Sequence, residues 1–123
     1  MKNSIPRLTL LLATAALLGA CASTPEPKSQ MAVAEAAVQA ANTPSTTENA
    51  PAELQVAVDK LAMAHKAMND KDYERARMLA EQTQVDAQAA EQKAQAVRSR
   101  KAAQASADAD RALREELARK SGS

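Results

Sequence analysis

Residues 73 to 97 read YERARMLAEQTQVDAQAAEQKAQAV, a stretch without proline or glycine in which small residues recur at helical steps. Ala76, Ala80, Thr83, Ala87, Ala90, Ala94 and Val97 succeed one another at intervals of four, three, four, three, four and three. That alternation keeps one stripe of a helix facing a neighbouring helix. Alanine is the best helix former, yet it buries little area. The stretch therefore predicts a long helix packed closely against others through a thin core. It decides the fold class: all-α, with a short N-terminal helix, then a helical hairpin whose second arm is long and alanine-rich.

Upstream, Asn69-Asp70-Lys71-Asp72 reads as a turn, with Asp70 or Asp72 available to cap the long helix. Before it, Leu54, Val58, Leu61 and Met68 form an apolar stripe widened by Ala57 and Ala64, predicting a helix over about residues 52 to 68. Pro51 suits its first turn and Glu53 its positive end. Residues 42 to 51, NTPSTTENAP, read as a polar linker. MAVAEAAVQAA, residues 31 to 41, predicts a short helix, with Ser29 as its candidate cap and Asn42 and Pro44 as its stop. Residues 22 to 30, ASTPEPKSQ, read as an extended, disordered spacer.

Downstream, the helix is predicted to run on to about residue 119, with a short tail at 120 to 123. The seam fails at Lys101 and Gln104, and a second stripe starts at Ala102, displaced by one position: Ala105, Ala109, Leu113 and Leu117. Paired from the turn, the shorter helix covers the seam only to about residue 89, at about 1.5 Å per residue. The first helix, folding back, is expected to cover Ala90 to Val97. The stripe through Ala105, Ala109, Leu113 and Leu117 is then left exposed as a candidate interaction surface. RSRK, Arg98 to Lys101, reads as a solvated face.

At the N-terminus, Lys2 and Arg7 precede an uncharged apolar run from Leu8 to Leu18, then small residues and Cys21, the single cysteine in the chain. This is the layout of a secretory signal peptide. At about 1.5 Å per residue the run is too short to cross a hydrocarbon core of roughly 30 Å. Leu18, Gly19, Ala20 and Cys21 resemble the bacterial lipobox. The resemblance implies that residues 1 to 20 are removed and that Cys21, made a nucleophile by its thiolate, carries a diacylglyceryl group. Its new amino group is acylated as well, by a chain such as palmitate. Several acyl chains exceed what stable membrane anchoring needs. Ala22, where relatives of this kind retained in the inner membrane carry aspartate, implies an outer-membrane lipid anchor on the periplasmic side.

Composition narrows the function classes. With Lys2 and Arg7 set aside, 14 basic residues face 15 acidic ones. No strong positive field exists to draw nucleic acid, and Tyr73 stands alone as an aromatic that could stack on a base. Gly122 is the single glycine beyond residue 20, which excludes a glycine-rich phosphate loop there. His65 is the one histidine, at the edge of an apolar stripe, and lacks companion ligands for a metal. Asp70 with Asp72, and Glu115 with Glu116, lack the apolar surroundings that would fit a carboxylate for acid catalysis. The chain is expected to be no enzyme, with no cofactor, no metal and no small-molecule substrate.

NAPAELQVAVDKLAMAHKA together with AMNDKDYERARMLAEQTQVDAQAAEQKA resembles the bacterial lipoprotein family called domain of unknown function 4398. The pieces that carry the likeness are Ala50-Pro51 with Leu54, Lys60-Leu61 with Ala64, Asp72-Tyr73 with Ala76, and Leu79-Ala80-Glu81 with Asp86-Ala87. It spans roughly residues 31 to 117. The resemblance implies a helical envelope lipoprotein and carries no catalytic residues with it. The turn region also resembles one helix-turn-helix of a tetratricopeptide repeat, but no second copy occurs at about 34 residues, so it reads as a single hairpin. The expected partners are the membrane, through lipidated Cys21, and either another envelope protein or a second copy of the chain. The expected role is a non-enzymatic helical structural or protein-interaction module. The alternatives are a self-associating alanine coiled-coil spacer and a cell-wall-associated accessory lipoprotein.

Overall fold

The structure, a computed structural model, describes residues 24–122. Four helices succeed one another: α1 Lys28–Ala41, α2 Pro44–Asn49, α3 Pro51–Asn69 and α4 Tyr73–Ser121. Among the described residues there is no strand. The all-α hairpin with a long second arm is therefore present as expected.

Boundaries reflect local chemistry. α1 starts at Lys28, earlier than the expected residue 31, because Pro27 fixes its own φ at −84° and its carbonyl oxygen accepts from the Met31 N–H at 3.0 Å. Ser29, expected to cap the helix, lies inside it, and its Oγ donates to Gln30 Oε1 instead. The stretch expected as a polar linker contains a helix of its own. Thr43 Oγ1 accepts from the Thr46 N–H at 3.2 Å, and Pro44 occupies the first turn. A threonine cap with proline after it is a helix start, and a run of polar residues hid it.

The α3–α4 connection is a Schellman turn. The Asp72 N–H donates to the Ala67 carbonyl at 2.9 Å and the Lys71 N–H to that of Met68 at 3.0 Å. Lys71 takes the left-handed position, φ 59°, where glycine is usual. Asp72 then serves the next helix: its Oδ1 accepts from the Arg75 N–H at 3.2 Å. One short corner thus closes α3 and opens α4.

α4 packs antiparallel to α3, and α1 lies alongside both, parallel to α4. Met31 and Ala34 meet Ala64, Ala67, Ala76, Leu79 and Ala80 near the turn. Ala41 meets Leu54, Ala57, Ala87 and Ala90 farther on. Between these two clusters Thr83 is fully buried, its hydroxyl donating to the Leu79 carbonyl at 2.8 Å. Of the seam predicted from spacing, Ala76, Ala80, Thr83, Ala87, Ala90 and Ala94 are all buried, and Val97, its last member, is half-buried.

Two expectations about its cover are corrected. α1 runs along the seam from the turn and its last residue, Ala41, reaches Ala87 and Ala90; it does not extend over the whole of Ala90 to Val97. Ala94 is buried, as is Thr46 of α2, which packs against α4. In α3 the buried residues are Leu54, Ala57, Ala64 and Ala67, while Leu61 and Met68 are half-buried and Val58 is 39 % exposed. Alanine faces let helix axes approach to the lower end of the usual range of roughly 8–10 Å. Leu54 is the one large side chain buried on the inner face of α3; Leu61, Met68 and Val58 stand at the rim of the alanine contact line.

Ion pairs stitch the elements, Lys60 to Asp86 at 2.6 Å and Lys93 to Glu53 at 2.6 Å, and His65 Nε2 lies 3.2 Å from Glu35 Oε1. Asp86 Oδ2 is buried without a well-aligned hydrogen bond, so the Lys60 ammonium beside it answers its charge. Exposed pairs of this kind add little stability by themselves.

Candidate interaction surface

α4 is 49 residues long and α3 is 19, so the two cannot match. At about 1.5 Å per residue α4 extends roughly 70 Å and α3 under 30 Å. The bundle reaches its far limit at Lys101, whose Nζ donates to Asn49 Oδ1 at 2.8 Å and lies 3.5 Å from Glu48 Oε1 of α2. From Ala102 to Ser121 the helix continues with nearly every residue exposed.

The sequence-predicted residues Ala105, Ala109, Leu113 and Leu117 all lie on this overhang. Successive members are four apart, so they trace a shallow diagonal along one side of the helix. Leu113 and Leu117 are each 59 % exposed and are the only bulky apolar side chains on the overhang. The ion pairs there join neighbours on the same helix: Arg111 with Asp108 at 3.4 Å, Arg119 with Glu116 at 2.9 Å, and Lys120 with Glu116 at 3.6 Å. Alanine content and such i, i+3 and i, i+4 pairs support the helix locally.

Reading the RSRK cluster as a solvated face missed a role. Lys101 ties α4 to α2, and Arg98 and Ser99 line an open groove of about 570 Å³ together with Pro44, Ser45, Glu48 and Asn49. Glu48 and Asn49, in the segment read as a linker, were the signal for it. Elsewhere the charged groups serve structure. Glu53 is held below the ordinary carboxylate value, chiefly by the hydrogen bond from Lys93. Arg77 is held above its ordinary value by the hydrogen bond to Glu74 and the charges of Glu74 and Glu81. His65 is exposed and paired with Glu35. Among the described residues no three His, Cys, Asp or Glu side chains come together as a metal site, and no helix is long and apolar enough to cross a membrane. Leu18, Gly19, Ala20 and Cys21 lie outside the described residues.

The family described as "Domain of unknown function (DUF4398)" matches this chain over residues 29–106. No curated protein and no solved structure matches it. The matched span takes in α1, α2, α3 and α4 as far as Ser106, and stops short of Leu113 and Leu117.

Proposed function

The chain belongs to the family of domain of unknown function 4398, and from that premise we propose that it is a lipid-anchored envelope protein that works without catalysis, by presenting a helix surface. In this reading Cys21 holds the chain to the periplasmic face of an outer membrane. The helical bundle then acts as a base that displays the distal end of α4.

One observation carries the display role: about twenty residues of continuous helix project past the bundle with Leu113 and Leu117 exposed. A polar helix of that length gains little from standing alone in water. Exposed leucines at its centre gain most when something covers them. The anchor rests on the ordered succession of Lys2, Arg7, the Leu8-to-Leu18 run, Gly19, Ala20 and Cys21.

The placement of α1 makes the two parts of the reading compatible. Lys28 sits at the turn end of the bundle, where Thr24 to Gln30 lie beside Glu74 and Arg77. A tether at Cys21 therefore meets the bundle at the end opposite the overhang.

Cys21→Ser tests the anchor. The expected result is loss of fatty-acyl labelling and release from the membrane fraction, or retention of the leader. Native protein whose Cys21 carries no lipid by mass spectrometry would end the anchoring half of the reading.

A further inference from the structure

We infer that the α3–α4 corner is a lipid-docking surface, with Lys71, Tyr73 and Arg75 on the phospholipid headgroups of the leaflet that holds Cys21. This docking rests on the anchoring proposed for Cys21 and names the face of the bundle that meets the membrane.

Chain length sets the reach. Three residues lead from Cys21 to Thr24, at most about 11 Å of fully extended chain. Thr24 is already seated on the bundle. Thr24, Pro25, Glu26 and Pro27 line one open groove with Glu74 and Arg77, in the first turns of α4. Pro25 and Pro27 stiffen this lead. Pro27 passes straight into α1, its carbonyl accepting from the Met31 N–H at 3.0 Å. The headgroup layer of one leaflet is about 5–7 Å deep. A lipid on Cys21 therefore holds the start of α4 at the headgroups, with no length of chain to let the bundle float clear.

The corner carries the chemistry for that place. Tyr73 is the single aromatic residue of the chain, and it stands half-buried as the first residue of α4. Tyrosine, with an apolar ring and a polar tip, favours the boundary between hydrocarbon and water. Charge around it is almost balanced: residues 26–28 and 66–77 together hold five basic and four acidic groups. Each acid is engaged from within the protein. Glu26 meets Lys28 at 3.1 Å, Asp70 meets Lys66 at 2.7 Å and Glu74 meets Arg77 at 2.7 Å. Asp72 accepts from the Arg75 N–H at 3.2 Å. Lys71 and Arg75 are exposed, and their side chains form no ion pair among the described residues. These two free cations stand two residues to either side of Tyr73, and lipid phosphate is the anion within their reach.

The test uses the full lipidated chain in vesicles of equal parts phosphatidylethanolamine and phosphatidylglycerol, collected by flotation. Tyrosine fluorescence reports on Tyr73 alone, because the chain has no other tyrosine and no tryptophan. A nitroxide on the lipid headgroup should quench it at least about twofold, and should leave a fluorophore at Ser121→Cys, roughly 70 Å along α4, unquenched. Acylation of Cys21 leaves that added thiol the one to label. Acrylamide in the water should quench Tyr73 less than in the lipid-free Cys21→Ser protein. Lys71→Asn with Arg75→Gln removes both free cations, and asparagine suits the left-handed position at φ 59°. This variant should float like wild type, keep its circular dichroism and lose most of the headgroup quenching. Floated protein whose Tyr73 the headgroup nitroxide does not reach overturns the inference and leaves the anchor standing. Protection from acrylamide without headgroup quenching assigns the corner to a protein contact and overturns it as well. So does a double variant quenched as fully as wild type. Protein that fails to float ends the anchoring reading and the docking with it.

Discussion

The two halves of α4 use the same amino acids to different ends. Tyr73 to Val97 and Arg98 to Ser121 are both alanine-rich and both helical, yet the first buries seven residues and the second leaves its apolar stripe in water. Composition does not separate them; spacing does. The first half repeats every three and a half residues, the period that keeps a stripe on a neighbour. In the second, Ala102, Ala105, Ala109 and Leu113 step three, four and four, an eleven-residue period that drifts the other way around the helix. A single partner helix cannot track both. The bundle ends where the period changes, and α2 closes it at Lys101.

Proline breaks this contrast most severely. Ala87→Pro, at the centre of the buried seam, removes a backbone hydrogen bond and forces a kink, costing about 3 kcal/mol or more. For a thin core that should abolish cooperative unfolding in a thermal melt monitored by circular dichroism. Ala109→Pro should remove helical signal from the overhang and leave the melting transition of the bundle in place. If both variants unfold the protein equally, the halves form one cooperative unit and the contrast fails.

Leucine truncation sharpens it. Leu79, 8 % exposed and in contact with α1 and α3, should cost about 2–4 kcal/mol as Leu79→Ala. Leu113→Ala should change the stability of the bundle in a urea titration by under about 0.5 kcal/mol. A comparable loss at both would mean that the overhang folds back onto the bundle in solution.

The smallest effect concerns ion pairs. Glu53, held low by Lys93, binds fewer protons in the folded state than in the unfolded chain. Its contribution is therefore present above the ordinary carboxylate value of 4.5 and fades as pH falls through the lower folded value. Lys93→Met should flatten the fall of the melting temperature as pH drops below 4.5. Arg111→Met, on the overhang, should leave it unchanged.

Much of this fold was legible because alanine spacing is an explicit code. The seam from Ala76 to Ala94, the corner at Asp72 and the exposure of Leu113 and Leu117 come from helix periodicity, capping and relative helix length. The missed features share one cause: local polarity and hydrophobicity do not report how closely helices approach. Of the expected α3 stripe, Leu54, Ala57 and Ala64 are buried as read, whereas Leu61, Met68 and Val58 stand at the rim and Ala67 takes an inner place that hydrophobicity did not mark. Polarity hid α2, although Thr43-Pro44 marked its start. The place of α1 could not be read from its own sequence, because MAVAEAAVQAA offers alanine on every side and only the shape of the α3–α4 groove chooses among them. Of the candidate surface, the sequence located Ala105, Ala109, Leu113 and Leu117; the contact of Lys101 with α2, which sets where the surface begins, needed the folded chain.

The parallel course of α1 and α4 has a mechanical consequence. A pull applied between Lys28 and Ser121 acts at opposite ends of the molecule, along the direction both helices share. It loads the contacts of Met31, Ala34 and Ala41 with α4 together, in shear, instead of peeling them apart one after another. Forced separation is then governed by how fast the whole interface yields. Exchanging the direction of α1 would keep every buried alanine and turn the same pull into a zipper.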